Sequence, residues 1–165
     1  MIRTTMALLC VSFLIAGEAT AHEPKHQRPT MPMSGHSSGH GEALGRPGDA
    51  KAATRTVEVT MNDEMRFLPD RVTVKQGETV RFVVANKGAT KHELVLGTAD
   101  ELAKHAEMMR KFPNMEHDDP NAVAVEPGKT GTLVWRFENA GTFGFACLIP
   151  GHFEAGMKGT LTVGQ

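Results

Sequence analysis

The chain has 165 residues, with 18 lysines and arginines against 19 aspartates and glutamates and a formal net charge of −1. That balance argues against a nucleic-acid-binding or membrane-surface protein, both of which concentrate positive charge. The length suits one domain with a real core and a tail.

The chain opens with Arg3, an apolar run over residues 6–16, and Ala19-Thr20-Ala21. This is the order of a secretory signal peptide, so residues 1–21 are expected to be a leader cleaved after Ala21. The apolar run is too short to span a bilayer comfortably. No twin-arginine pair precedes it, which points to general secretion. Leu9 stands where a lipid anchor on Cys10 would need a small residue. The expected mature protein is periplasmic, starts at His22 and keeps its net charge, because Arg3 and Glu18 leave together. Cys10 leaves as well, so Cys147 becomes the only thiol, in a compartment where thiols oxidise. It cannot close an internal disulfide, which leaves intermolecular pairing, a reactive group or a metal ligand.

Residues 22–54 read as a disordered tail. They are rich in proline, glycine, serine and charge, and carry too few aliphatic residues to offset the entropy of ordering. The tail nevertheless holds His22, His26, Met31, Met33, His36 and His40, including half of the chain's eight histidines. Histidine and methionine are the ligand types for Cu(II) and Cu(I), so the tail is a candidate for weak accessory copper binding.

From residue 55 the pattern becomes that of short strands. Residues 56–60 and 71–75 alternate apolar and polar side chains. Residues 79–85 carry Val80, Phe82 and Val84, and Asn86-Lys87-Gly88 signals a turn before a strand over 92–96. Residues 98–112 predict a helix: Thr98 and Glu101 have capping-box spacing, Leu102, Ala106 and Met109 share a face, and Pro113 ends it. Strands return over 122–126, 131–137, 142–146 and 159–163. Seven or eight short strands with one helical insertion, over residues 55–165, predict an all-β antiparallel β-sandwich.

The stretch Cys147-Leu-Ile-Pro-Gly-His152-Phe-Glu-Ala-Gly-Met157 puts a thiolate, an imidazole and a thioether in one glycine-containing loop. Sulfur ligands with imidazole select copper, and a His₂Cys plane with a long axial Met is a blue-copper electron-transfer arrangement. A second imidazole must come from elsewhere, and His92, at the start of a strand after a turn, is the natural candidate. Taken singly, each of these residues reads as packing; their joint occurrence carries the reading.

An upstream His combined with Cys-x4-His-x4-Met near the C-terminus resembles the cupredoxins, with gaps like those of the auracyanin and rusticyanin branches. Residues 65–82, Met-Arg-Phe-Leu-Pro through Val-Arg-Phe, also resemble the family's opening strands. The resemblance implies a Greek-key sandwich with copper at one end, cycling between Cu(I) and Cu(II). It implies His92, Cys147 and His152 as equatorial ligands and Met157 as the axial one. Many members carry Asn or Ser after the first copper His, where it ties the ligand loops together; this chain has Glu93. Leu148, Ile149, Pro150 and Phe153 are expected to frame His152 with apolar surface, an electron port for a transient redox partner.

The helical insertion offers His105, Met108, Met115 and His117 as further accessory metal ligands, with Met61 and Met65 upstream. His105 and Met108 are three residues apart, close enough to share an ion on a helix. A Met- and His-rich tail beside such a domain resembles the CopI-type periplasmic copper-tolerance proteins. That implies tolerance by binding copper or by redox-cycling it. The alternative is a soluble periplasmic electron carrier. A self-sufficient multicopper oxidase is disfavoured, because the chain has no His-x-His pair.

Overall fold

The computed structural model describes residues 41–113 and 118–165, all within one compact unit spanning His36–Gln165. Among these residues ten strands and one α-helix follow in chain order, with a single 3-10 turn at Ala50–Ala52: β1 Gly45–Pro47, β2 Arg55–Asn62, β3 Arg66–Leu68, β4 Arg71–Lys75, β5 Thr79–Asn86 and β6 His92–Gly97. Then come α1 Ala99–Lys111, β7 Ala122–Val125, β8 Thr130–Phe137, β9 Gly141–Ala146 and β10 Lys158–Gly164. Two five-stranded sheets face each other, ordered β1-β8-β5-β2-β3 and β4-β10-β9-β6-β7.

The sandwich follows from period-two burial. In β4, Val72 and Val74 point inward between exposed neighbours; in β8, the buried Leu133, Trp135 and Phe137 alternate with half-buried Val134 and Arg136. The inward faces meet in a core that includes Met61, Phe67, Phe82, Leu94, Trp135, Phe145 and Leu161. Phe67 and Phe145 pack edge to face across it, ring centroids 5.1 Å apart.

Strand β6 breaks the alternation, since all six of its residues are buried. Its outer face is covered by α1, whose Leu102, Ala106 and Met109 pack with Val95, Ala146 and Leu148 in a second apolar cluster. The helix starts with the expected capping box, in which Thr98 Oγ1 accepts from the Glu101 amide and Glu101 accepts from the Thr98 amide.

Two features differ from expectation. The sheets are mixed rather than antiparallel throughout: β2 pairs parallel with β5, and β4 parallel with β10. After β3 the chain passes to the second sheet for β4 and returns for β5, so β5 arrives beside β2 in the same direction. The folded region also starts before residue 55. Leu44 is fully buried, and β1 pairs with β8 through Gly45↔Phe137 and Pro47↔Trp135. Pro47 is tolerated because β1 is an edge strand, where its missing N–H costs no ladder bond.

Candidate metal centre

His92 is the first residue of β6, delivered there by a loop that Asn86 organises. The buried Asn86 amide donates to the carbonyls of Thr90 (2.8 Å) and Val125 (2.9 Å) and accepts from the Gly88 N–H (2.9 Å). Asp63, in the turn between β2 and β3, grips the same loop. Its carboxylate accepts from the amides of Ala89 (2.6 Å) and Thr90 (3.3 Å) and from the Thr90 hydroxyl (2.9 Å). Gly88 permits this approach: a Cβ there would run into the Asp63 carboxylate.

The second segment runs from Cys147, just after β9, to Met157, just before β10. The Cys147 N–H donates to the Met157 carbonyl (3.1 Å), and the Met157 N–H to the His152 carbonyl (3.0 Å), so the loop closes on itself. Gly151 and Gly156 both have φ near +90°, a region open to glycine, which lets the chain turn back around His152. Arg66 Nη1 ties the loop to the start of β3 through the Ala155 carbonyl (3.3 Å). Cys147 and Met157 are fully buried, and His152 is half-buried.

The two segments bring three donor atoms together. His92 Nδ1 and His152 Nδ1 are 3.2 Å apart, and Cys147 Sγ is 3.4 Å from His152 Nδ1. All three ligand atoms lie within 4.8 Å of one another, and among the described residues no other group of three His, Cys, Asp or Glu does so. Nitrogens about 2 Å from a shared ion, and a sulfur about 2.3 Å from it, stand roughly 3.3–3.8 Å apart. The two separations at His152, 3.2 and 3.4 Å, lie close to that range, and an N₂S donor set suits copper.

The electrostatics set the donors' protonation apart: the sulfur holds its proton in the metal-free protein, while the His152 imidazole is kept free of a second one. Burial pushes the Cys147 thiol up to about 12, although backbone N–H groups of Glu93 and Ile149 aimed at the sulfur act in the opposite sense. His152 is held below the ordinary imidazole value by desolvation and by neighbouring His92. Asp63 is lowered to about 2, first by the Ala89 amide and then by the Thr90 hydroxyl, so it is a carboxylate throughout the neutral range.

Glu93 replaces the expected Asn or Ser and makes the tie itself. Its buried carboxylate accepts from the Leu148 N–H at 2.9 Å, joining the start of β6 to the residue after Cys147. The sequence signalled Asn86 only as part of a turn, and it did not signal Asp63 or Thr90. Asp63 precedes His92 by 29 residues, and no motif links the two.

The remaining candidates are dispersed. His105 is buried on the inner side of α1, with Nδ1 3.8 Å from Asp119 Oδ2, whereas Met108 is exposed. Their three-residue spacing therefore does not give them a common environment. Met61 lies in the central core, and Met65 packs at its margin. Leu148 was expected on the surface around His152 but is buried in the α1 cluster, where it packs with Ala146 at the end of β9 and with Leu102, Ala106 and Met109 of the helix. Ile149, Pro150 and Phe153 remain partly exposed, with Lys158 Nζ 3.7 Å above the Phe153 ring. His22, His26, Met31, Met33, His36, His40, Met115 and His117 lie outside the described residues. Among the described residues no helix is long and apolar enough to cross a membrane.

Comparison with known proteins gives a consistent picture. The family described as copper binding proteins, plastocyanin/azurin family, matches residues 53–164. The copper-resistant cuproprotein CopI of Rubrivivax gelatinosus is 52% identical over 157 residues, covering 95% of this chain and 94% of that protein. The protein of the same name from Vibrio cholerae is 40% identical, covering 95% and 96%. Among solved structures, auracyanin B superposes with a TM-score of 0.61 at 27% identity, covering 74% of this chain and 97% of that one.

Proposed function

Because the chain belongs to the plastocyanin/azurin family of copper-binding proteins, and within it to the CopI-type cupredoxins, we propose that it is an exported periplasmic protein conferring copper tolerance. In this reading His92, Cys147 and His152 are the equatorial ligands, and Met157 the axial ligand, of one type 1 copper site. The observation that carries it is the convergence of two imidazole Nδ1 atoms and a buried thiol at the end of a stiff sandwich. The similarity to proteins named copper-resistant cuproproteins supplies the biological direction.

When bound, copper supplies a one-electron Cu(I)/Cu(II) couple. The chain's residues do the rest. Cys147 Sγ carries a proton in the metal-free protein and gives it up to become a thiolate donor, with the Glu93 and Ile149 amides stabilising the sulfur. His152 is kept neutral and available by its desolvation. The two loops are cross-tied by Glu93–Leu148, and the burial of Cys147 and Met157 excludes water from the sulfur side. The histidines and methionines of residues 22–40 act as an accessory ligand store that takes copper weakly.

A second reading, a periplasmic electron carrier, is favoured by the half-buried His152 edge. Ile149, Pro150 and Phe153 surround that edge and would receive a transient redox partner. Copper sensitivity separates the two. Deleting the gene sensitises cells to copper under the tolerance reading, and the wild-type gene restores growth where Cys147→Ser does not. Normal copper tolerance with impaired respiration at low copper would favour the carrier.

A further inference from the structure

We propose that Asp63 is a positioning residue of the copper centre, one that orients His92 for metal before any metal arrives. The inference rests on His92 being a ligand. It concerns the far side of that ring, away from Cys147 and His152. His92 Nε2 lies 3.3 Å from Asp63 Oδ1 and 3.3 Å from Thr90 Oγ1. Thr90 Oγ1 donates its own proton to Asp63 Oδ1 at 2.9 Å, so it can offer Nε2 only a lone pair. The carboxylate likewise accepts and does not donate. With two acceptors on that side, Nε2 must carry the imidazole proton. Nδ1 then keeps its lone pair on the side of His152 Nδ1, 3.2 Å away, within the group of three donor atoms that includes Cys147 Sγ.

Asp63 is itself held rigidly. The Ala89 and Thr90 amides and the Thr90 hydroxyl fix both carboxylate oxygens, and Gly88 leaves room for them. Arg66, the first residue of β3, reaches the Ala155 carbonyl. The turn and the strand it leads into therefore touch both ligand-bearing segments, the ring of one through Asp63 and the backbone of the other through Arg66. A carboxylate on the outer nitrogen of a ligating imidazole fixes ring orientation and strengthens the donor. Asp63 thus does with a side chain what no spacing in the sequence announces.

Three measurements on the full chain test this, using Asp63→Ala and Thr90→Val beside the wild type. In the metal-free wild type, proton–nitrogen NMR should show a His92 Nε2–H signal protected from exchange with water. Asp63→Ala should lose that protection while circular dichroism stays unchanged. In competition with a chelator its copper should be held about 10–100-fold more weakly, and released correspondingly more readily, the range of affinity lost when such outer partners are removed. The Cu(II)/Cu(I) potential should rise, because a weaker imidazole donor favours Cu(I). Thr90→Val, which keeps the Ala89–Asp63 bond, should show the same changes to a smaller degree, and it carries the test if Asp63→Ala does not fold. An exchange-protected Nε2–H and wild-type copper release in a folded variant would overturn the proposal. His92→Ala distinguishes the underlying reading: if copper binding survives it unchanged, His92 is not a ligand, whereas loss there with no effect at Asp63 defeats only the positioning role.

Discussion

Removing the Glu93 carboxylate isolates the cross-tie between the two ligand segments. Glu93 Oε1 accepts the Leu148 N–H at 2.9 Å in a buried setting, and Leu148 is itself packed beneath α1. Glu93→Ala leaves that amide without its acceptor, which costs about 1–3 kcal/mol for a buried donor. A central value of about 2 kcal/mol corresponds to a fall of roughly 6–10 °C in Tm for a domain of this size. Glu93→Gln keeps a carbonyl oxygen at the same reach and should cost less than about 1 kcal/mol. Thermal and urea unfolding of the metal-free protein at pH 7 give the stabilities, and an unchanged urea slope keeps the comparison two-state. A Glu93→Ala midpoint equal to that of wild type, or an equal loss in Glu93→Gln, would refute the cross-tie.

Copper uptake should release about one proton, because the Cys147 thiol, near 12, is protonated when metal-free and binds as thiolate. Apparent affinity should then climb about tenfold per pH unit from pH 7 to 9; competition titrations with a flat profile would contradict this. Gly88→Ala drives a methyl into Asp63 and should speed copper loss to a chelator, as Asp63→Ala does. Thr98→Ala removes the cap of α1 and should lower stability by about 1 kcal/mol while leaving the visible spectrum unchanged. Leu44→Ala should destabilise the metal-free domain by about 2–5 kcal/mol, as expected of a core side chain and not of a tail.

Much of this organisation was legible because it is local. Alternation in β4 and β8 needs only neighbouring residues, and the Thr98–Glu101 cap and the Cys147-to-Met157 spacing lie within one segment. Strand β1 was not legible: Gly45-Arg46-Pro47 has no alternation and contains two strand-averse residues, and it is held by pairing with β8 about ninety residues later. Leu148 misled because an apolar run after a ligand does not say which side each residue takes; α1, inserted between β6 and β7, decides that. Glu93 stood out as a departure, but its role depends on Leu148, 55 residues away. Asp63 was silent for the same reason, since an exposed acidic turn residue acquires meaning only when the fold sets it against the His92 ring.

The assignment of Cys147 as the sulfur ligand of a type 1 copper is tested most directly by visible absorption of the copper-loaded protein and its Cys147→Ser variant. Wild type should show an intense sulfur-to-copper charge-transfer band that the variant lacks at equal folded concentration. A spectrum unchanged by the substitution would contradict the assignment.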